Sequence, residues 1–282
     1  MRPSDVLRVA CAAIGVVALS ACRTVPTTPV TTSAAPLQVF AAGSLREALT
    51  EIAQRYQADT GTPVQLTFGA SGLLRQRIEA GEPAEVFASA DTQHPATLAA
   101  GSGKSGAWQP PTRFVRNQLC AIAQPALQAT PDTLLPLMLS PRVKLGTSTP
   151  KFDPAGDYAW ALFRRAGAVR PGAYAALDAK ALQLTGSPEA LPPPAGQGAY
   201  SWLMDTGQAD LFLTYCTNAM AVVRDVPRMQ QVALPASLQV GADYSVTSRA
   251  VGMNSANAQR FVQHLLTPSA QASFARFGFG AP

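Results

Sequence analysis

The sequence is poor in charge, histidine and cysteine. Charged residues make up 14% of its 282 residues and hydrophobic residues 47%, a balance that excludes an intrinsically disordered chain. Lys and Arg outnumber Asp and Glu by 22 to 17, but no basic run exceeds Arg164-Arg165, so we expect no nucleic-acid-binding surface. The two His and four Cys form neither a CxxC motif nor a cluster. We therefore expect no metal bound directly by side chains and no cofactor.

The N-terminal segment is predicted to direct the chain out of the cytoplasm. A basic start precedes the apolar run Val9–Leu19, which is too short to span a hydrocarbon core of about 30 Å, so residues 1–21 are typical of a signal peptide. Leu19-Ser20-Ala21-Cys22 resembles the bacterial lipobox, in which the chain is cut before the cysteine and that cysteine carries lipid. The alternative is an ordinary secretory signal that leaves Cys22 unmodified. Residues 22–36 are rich in Thr and Pro and predict a tether to the membrane.

From Leu37 onward, short apolar strands alternate with amphipathic helices, which predicts an α/β fold with a mainly parallel sheet. A helix is predicted from Ser44, because apolar residues then recur at helical spacing through Tyr56. The other predicted helices are Ser71–Ile78, Ala155–Ala166, Tyr200–Asp205 and Ala256–Leu266. The predicted strands are Leu37–Ala41, Val64–Phe68, Glu85–Ser89, Phe114–Ala123, Val143–Thr147 and Leu211–Tyr215.

The chain is long enough for two lobes with a cleft between them. We place a boundary near Arg113, where the content of Pro and Gly rises, and we expect the segment Val222–Val232 to return the chain to the first lobe. Residues 37–114 and 228–282 would then form lobe 1, and residues 115–227 would form lobe 2. Two crossings between lobes would act as a hinge.

Two serines, Ser44 and Ser71, follow predicted strands and begin predicted helices. In open α/β sheets ligands bind at the carboxyl edge, where helix N-termini offer free N–H groups to an anion. Ser44 has an alternative interpretation, since Ser44-Leu-Arg-Glu47 also fits a capping box. Ser71 has one too, because Phe68-Gly-Ala-Ser-Gly72 could be a plain turn of small residues.

Six segments resemble, in order, the periplasmic molybdate-binding proteins of ABC transporters. They carry the resemblance along nearly all of residues 37–282: Val39-Phe-Ala-Ala-Gly-Ser-Leu45, Phe68-Gly-Ala-Ser-Gly-Leu73, Glu82-Pro-Ala-Glu-Val-Phe-Ala-Ser-Ala90, Pro154-Ala-Gly-Asp-Tyr-Ala159, Gly207-Gln-Ala-Asp-Leu-Phe-Leu-Thr-Tyr215, and Thr267-Pro-Ser-Ala-Gln271 with Phe277-Gly-Phe279. The resemblance implies a two-lobe, type II periplasmic-binding-protein-like fold, lipid-anchored on the periplasmic side. It implies a monomer that captures molybdate or tungstate and delivers it to a membrane permease with its ATPase.

The resemblance also implies the residues that bind the oxyanion. Ser44 and Ser71 would donate hydroxyl and backbone hydrogen bonds, Tyr215 its phenol, and Ala155 and Gln197 their backbone N–H groups. Gln197 is aligned only by counting back from Tyr215, and its Pro- and Gly-rich surroundings depart from the family's pattern. Molybdate and tungstate are fully ionised at neutral pH, so a site made of donors suits them, with about 1.5–3 kcal/mol per charge-assisted bond.

The same residues also bear on two alternative functions, a sulfate receptor and a serine hydrolase. Sulfate differs from molybdate mainly in size, so a sulfate receptor is the alternative within the binding class. A serine hydrolase is disfavoured, because Gly69-Ala-Ser-Gly-Leu73 lacks the G-x-S-x-G elbow and no catalytic base emerges, and we expect no enzymatic activity. Cys120 and Cys216 either form a disulfide, as the extracytoplasmic setting permits, or pack as free thiols in buried strands.

Overall fold

The structure is a computed structural model that describes residues 35–101 and 106–282. The predicted signal peptide (1–21), the predicted lipidation site Cys22 and nearly all of the predicted tether lie outside the described residues. Ala34–Pro282 form one compact unit. In the described part of the chain, no helix combines the length and the apolar character that crossing a membrane requires.

The strands and helices of the described residues alternate along most of the chain. The strands are β1 (Leu37–Ala42), β2 (Val64–Gly69), β3 (Val86–Ser89), β4 (Thr112–Ala123), β5 (Leu145–Ser148), β6 (Leu182–Thr185), β7 (Leu211–Tyr215), β8 (Gln230–Ala233) and β9 (Gly241–Ser248). The helices are α1 (Arg46–Thr60), α2 (Ser71–Glu79), α3 (Gln93–Ala100), α4 (Leu134–Leu139), α5 (Pro154–Val169), α6 (Ala173–Lys180), α7 (Ala199–Asp205), α8 (Cys216–Asp225), α9 (Ser255–Leu265) and α10 (Pro268–Arg276). Two short 3₁₀ turns, Gly43–Leu45 and Pro125–Leu127, complete the order.

The sheet is mixed, with strand order β2-β1-β3-β9-β4-β7-β5-β6 and β8 paired to β4 off that path. β1 is parallel to β2 and β3, and β5 is parallel to β6 and β7. Each antiparallel pair among the described strands involves β4 or β9. The α/β prediction is therefore confirmed, and the parallel order that the sequence predicted belongs to the outer strands of each half of the sheet.

The two long strands connect the halves of the sheet. The first part of β4 pairs with β9, through Gln118 opposite Gly241, and its last part pairs with β7 and β8. The sequence analysis missed β9. Over Val222–Val232, where a return segment was expected, the structure has the end of α8, a turn and then β8.

The carboxyl ends of β1 and β2 lie side by side, since the parallel register places Ala42 opposite Gly69. The chain turns into α1 after β1 and into α2 after β2, so Ser44 and Ser71 leave the same edge of the sheet. The apolar face predicted for α1 is buried in the core, with Leu45, Leu49, Ile52 and Tyr56 between 0% and 3% exposed. Burial of that face fixes the angle at which the start of α1 meets the sheet edge.

A disulfide joins Cys120 of β4 to Cys216, the first residue of α8, with 4.8 Å between their Cα atoms. Of the two alternatives for these cysteines, the structure has the bonded one. Because Cys216 directly follows Tyr215, the bond holds the junction of β7 and α8 against β4.

Candidate functional site

A cleft of about 880 Å³ opens at the carboxyl edge described above. Its walls are the segments that follow β1, β2 and β7, together with the loop between β6 and α7. Four of the five residues predicted to bind an oxyanion line it, namely Ser44, Ser71, Gln197 and Tyr215. Ala155 is not part of the lining.

Ser44 lies in the 3₁₀ turn Gly43–Leu45, and its hydroxyl forms a hydrogen bond of 2.9 Å with the phenol of Tyr244. The capping-box alternative is wrong, because the N-cap of α1 is Leu45 and no side chain caps that helix. Glu47 instead accepts a hydrogen bond from Arg224 of α8 at 3.0 Å. The Ser44 side chain is thus available to the cleft rather than to its own helix.

Ser71 begins α2 and is 1% exposed. Its Oγ accepts a hydrogen bond of 3.1 Å from the backbone N–H of Ala90, at the end of β3. Since that bond uses a lone pair, the hydroxyl proton is left to donate to a ligand. The structure therefore supports a donor role that a plain turn of small residues would not require.

Glycine is required next to Ser71 because the chain segments approach closely there. The Gly72 N–H donates to the Phe152 carbonyl at 2.8 Å. A Cβ at Gly72 would lie 2.4 Å from the Lys151 carbonyl oxygen, closer than any van der Waals contact allows. The start of α2 and the loop before α5 are consequently in direct backbone contact, between the lining residues Ser71 and Asp153.

Tyr215 ends β7, is buried, and brings its phenol to the same place. Its hydroxyl lies 3.5 Å from the carbonyl of Ala90, the residue whose N–H binds Ser71. Its ring packs edge-on against Tyr244, with 5.4 Å between centroids. Burial raises the pKa of both phenols well above the ordinary value, so each stays protonated and able to donate at physiological pH. Ser44, Ser71 and Tyr215 are therefore brought together around Ala90 and Tyr244.

The two backbone donors that the resemblance implied have partners within the protein. Ala155 is fully buried, and its N–H donates to the Asp153 carboxylate Oδ1 at 3.0 Å, which is the N-cap bond of α5. The Gln197 N–H donates to the Pro194 carbonyl at 3.1 Å, within the Pro-rich loop. Their roles toward an anion stay predictions, and each would require its N–H to exchange one acceptor for another.

Sequence reasoning missed four residues of the site. Asp153, Tyr200 and Asn218 line the cleft, and the phenol of Tyr244 is hydrogen-bonded to the Ser44 hydroxyl. The Tyr200 hydroxyl and the Ser148 hydroxyl lie 3.1 Å apart, and the Asn218 amide donates to Thr214 at 2.9 Å. The signal for Tyr244 was present, because apolar residues alternate with polar ones from Ala242 to Thr247, as in a strand with one buried face. The other three carry no local signal for a cleft.

Formal charges at the cleft are largely balanced. Arg224 forms ion pairs with Glu47 and Asp225 at the exposed rim, where such pairs contribute little to stability. Asp153 is the acid deeper in the lining, and its burial raises its pKa to about 6, although hydrogen bonds from the Ala155 N–H and the Ser148 hydroxyl offset part of that rise. The described residues contain no group of three or more His, Cys, Asp or Glu that could hold a metal ion.

The arrangement suits binding rather than nucleophilic catalysis. Among the described residues no base accepts a hydrogen bond from Ser71, whose hydroxyl instead accepts the backbone N–H of Ala90. Nδ1 of His94 accepts from Arg75 at 3.2 Å, so this ring nitrogen is committed to another side chain. The cleft offers the hydroxyl donors of Ser44, Ser71 and Tyr215 beside the charged groups at its rim, and this arrangement favours an anion that is held and released unchanged.

The chain is similar in sequence and in fold to several known proteins. The chain is 34% identical over 235 residues to an uncharacterized protein of Pasteurella multocida strain Pm70, covering 82% of this chain and 92% of that protein. It is 28% identical over 250 residues to the molybdate-binding protein ModA of Escherichia coli strain K12, covering 86% and 88%. The sulfate-binding protein SubI from Mycobacterium tuberculosis H37Rv shares the fold with a TM-score of 0.69 at 16% identity, over 86% of each chain.

The structural likeness confirms the predicted periplasmic-binding-protein-like fold. The family described as bacterial extracellular solute-binding protein matches residues 37–280, from the first residue of β1 to beyond the last helix. That family binds solutes and is not a family of enzymes. Because the match takes in both halves of the sheet and the cleft between the segments that follow its strands, this chain belongs to the bacterial extracellular solute-binding proteins.

Proposed function

We propose that this protein captures molybdate, or tungstate, on the periplasmic side of the membrane and delivers it to an ABC permease driven by an ATPase. The observation that carries the proposal is the convergence of the hydroxyls of Ser44, Ser71 and Tyr215 on one cleft. The similarity to ModA of Escherichia coli supports the choice of anion.

The donor set matches the chemistry of a fully ionised tetrahedral oxyanion. Each hydroxyl bond to such an anion contributes about 1.5–3 kcal/mol, so a few of them can offset the loss of hydration without a salt bridge. The high pKa of Tyr215 keeps its proton in place for this purpose. The Ala155 and Gln197 N–H groups would join the set when the anion replaces Asp153 and Pro194 as their acceptors.

Capture would be coupled to closure of the cleft. The backbone bond between Gly72 and Phe152 joins the segment that carries Ser71 to the loop before α5, and an anion bound by both Ser71 and Tyr215 would favour a closed state with these segments together. The closed protein would then dock on the permease as a monomer, with the lipid on Cys22 keeping it near the membrane.

Sulfate is the second candidate, because the sulfate-binding protein SubI has the same fold. Sulfate and molybdate present the same charge and shape and differ in size, so both would use the same donors. The two are separated by measuring affinities rather than by the identity of the lining residues.

The test is a calorimetric titration of the compact unit Ala34–Pro282, stripped of bound ligand, with molybdate, tungstate, sulfate and phosphate. Tight binding of the first two and weak binding of the others is expected. Preference for sulfate would transfer the proposal to the second candidate, and absence of binding by all four anions would refute an oxyanion receptor.

A further inference from the structure

Asp153 is placed in the cleft by the loop before α5 and is held there from two sides. Its Oδ1 accepts the N–H of Ala155 at 3.0 Å. Its other oxygen, Oδ2, would lie 3.1 Å from a Cβ built on Gly186, a lining residue with a φ of +91° that has no side chain to cover the carboxyl group. Oδ1 therefore caps the helix, the Ser148 hydroxyl also donates to the carboxyl group, and Oδ2 lies on the Gly186 side of the cleft lining.

No cation compensates this carboxylate. Within the described residues, no Lys, Arg or His nitrogen forms an ion pair with Asp153. The charge of Asp157 in α5 raises the pKa of Asp153, and the charge of Asp153 in turn raises the pKa of Tyr200 in α7 and Tyr215 in β7, so both phenols stay neutral. Burial is the largest cause of the raised pKa, which reaches about 6. Asp153 is thus mostly ionised in the empty cleft at neutral pH, and its buried charge lowers the stability of the folded protein.

A dianion in the same cleft would change the protonation of Asp153. Two like charges in one partly desolvated cleft repel each other, and the repulsion is relieved if the carboxyl group takes up a proton. The protonated group has an O–H donor that it can offer to the anion, while the Ala155 N–H exchanges Oδ1 for the anion as its acceptor. Protonation therefore converts a repulsive contact into one more donor of the kind that the cleft already offers.

We propose that Asp153 is a ligand-binding residue that carries a proton when the cleft holds an oxyanion, so that each dianion captured takes up one proton from solution. This inference rests on the proposed function. The bound state then holds more protons than the free state, and affinity rises as the pH falls. Above about pH 6.5, the affinity for molybdate changes about tenfold per pH unit, as one linked proton requires.

The test measures the proton directly. Molybdate is titrated into Ala34–Pro282 at pH 7.5 in buffers that differ in ionisation enthalpy, and the dependence of the observed heat on the buffer gives the number of protons taken up. About one proton is expected for the wild type. Asp153→Asn keeps an oxygen to cap Ala155 and supplies an amide donor, so it is expected to take up no proton and to bind equally well at pH 6.5 and 8.

The matched control is Asp157→Asn, which removes another acid of α5. Asp157 accepts from the Lys151 N–H at 3.1 Å and lines a separate cavity with Tyr158 and Arg164, so this variant should keep the proton uptake and the pH dependence of the wild type.

Each outcome decides a different question. Binding of molybdate with no proton uptake overturns the role of Asp153 and leaves the receptor function intact. If proton uptake persists in Asp153→Asn, the proton belongs to another group, and the proposed role of Asp153 is overturned. A third outcome is that the protein prefers hydrogen phosphate, takes up no proton on binding it, and loses this binding in Asp153→Asn. Asp153 would then be a carboxylate that accepts the ligand's own proton, which contradicts the proposal. Failure of every anion to bind refutes the proposed function itself, and this inference with it.

Discussion

Replacement of Ser71 by alanine separates the roles of this serine in binding and in folding. The substitution removes the hydroxyl that is proposed to donate to the anion, a bond of about 1.5–3 kcal/mol, so the affinity for molybdate should fall about 10- to 150-fold. It also leaves the Ala90 N–H without its acceptor at 3.1 Å, in a place where Ser71 is 1% exposed. An unsatisfied buried donor costs about 1–3 kcal/mol, and the free energy of unfolding should fall by that amount.

The matched control is Ser273→Ala in α10. Ser273 is also buried and hydrogen-bonded, to Glu51 at 3.0 Å and to Arg55 at 3.1 Å, but it does not line the cleft. This variant should lose stability and keep its anion affinity. Affinities come from calorimetry and free energies of unfolding from urea titration. If Ser71→Ala bound molybdate as tightly as Ser273→Ala does, Ser71 would not be a ligand-binding residue and the interpretation of the cleft would fail.

Three further predictions test the cleft, its acid and its cross-link. Gly72→Ala should weaken molybdate binding at least tenfold, because the new Cβ would lie 2.4 Å from the Lys151 carbonyl oxygen and push the start of α2 away from the loop before α5. The control is Gly241→Ala, whose Cβ meets nothing within 4 Å and which should bind molybdate normally. Without ligand, Asp153→Asn should raise the free energy of unfolding at pH 8 by up to about 3 kcal/mol and leave it unchanged near pH 4. The reason is that folding raises the Asp153 pKa from 3.8 to about 6, so the wild type alone loses stability as the pH rises between those values; parallel urea-derived curves for the two proteins would contradict this. The double variant Cys120→Ser with Cys216→Ser should lower the free energy of unfolding by about 2–5 kcal/mol, and equal thermal midpoints for oxidised wild type and variant would count against it.

Much of the first half of the fold could be predicted because its signals are local. The strand at Leu37, the strand at Val64 and the apolar face of α1 follow from periodicity within a few residues, and the structure confirms them. β9 was missed although its polar and apolar residues alternate, since it is antiparallel to both neighbours and does not follow from a pattern of parallel β-α units. The order of strands around β4 depends on pairings between distant segments, which no local pattern records.

The candidate site was predictable to the same degree. Ser44 and Ser71 were found because each follows a strand, and Tyr215 through the resemblance to a family. Asp153 was identified only as a helix cap, since its second oxygen faces a cleft that exists only after folding. The position of Gln197 was fixed by counting alone, and the turn that occupies its N–H is formed by the Pro-rich loop itself.

The bond between Cys120 and Cys216 has a consequence for the life of the chain before it folds. Disulfides form outside the cytoplasm, so Cys120 and Cys216 are both free thiols in the chain until it has been exported. The bond closes a loop with a sequence separation of 96, and in the chain-entropy account such a loop contributes about 4–5 kcal/mol, a large share of the 5–15 kcal/mol typical of a domain. The reduced chain is correspondingly easier to keep unfolded before export. Oxidation after export then fixes the junction that carries Tyr215, and the receptor reaches its full stability only in the compartment where its solute is found.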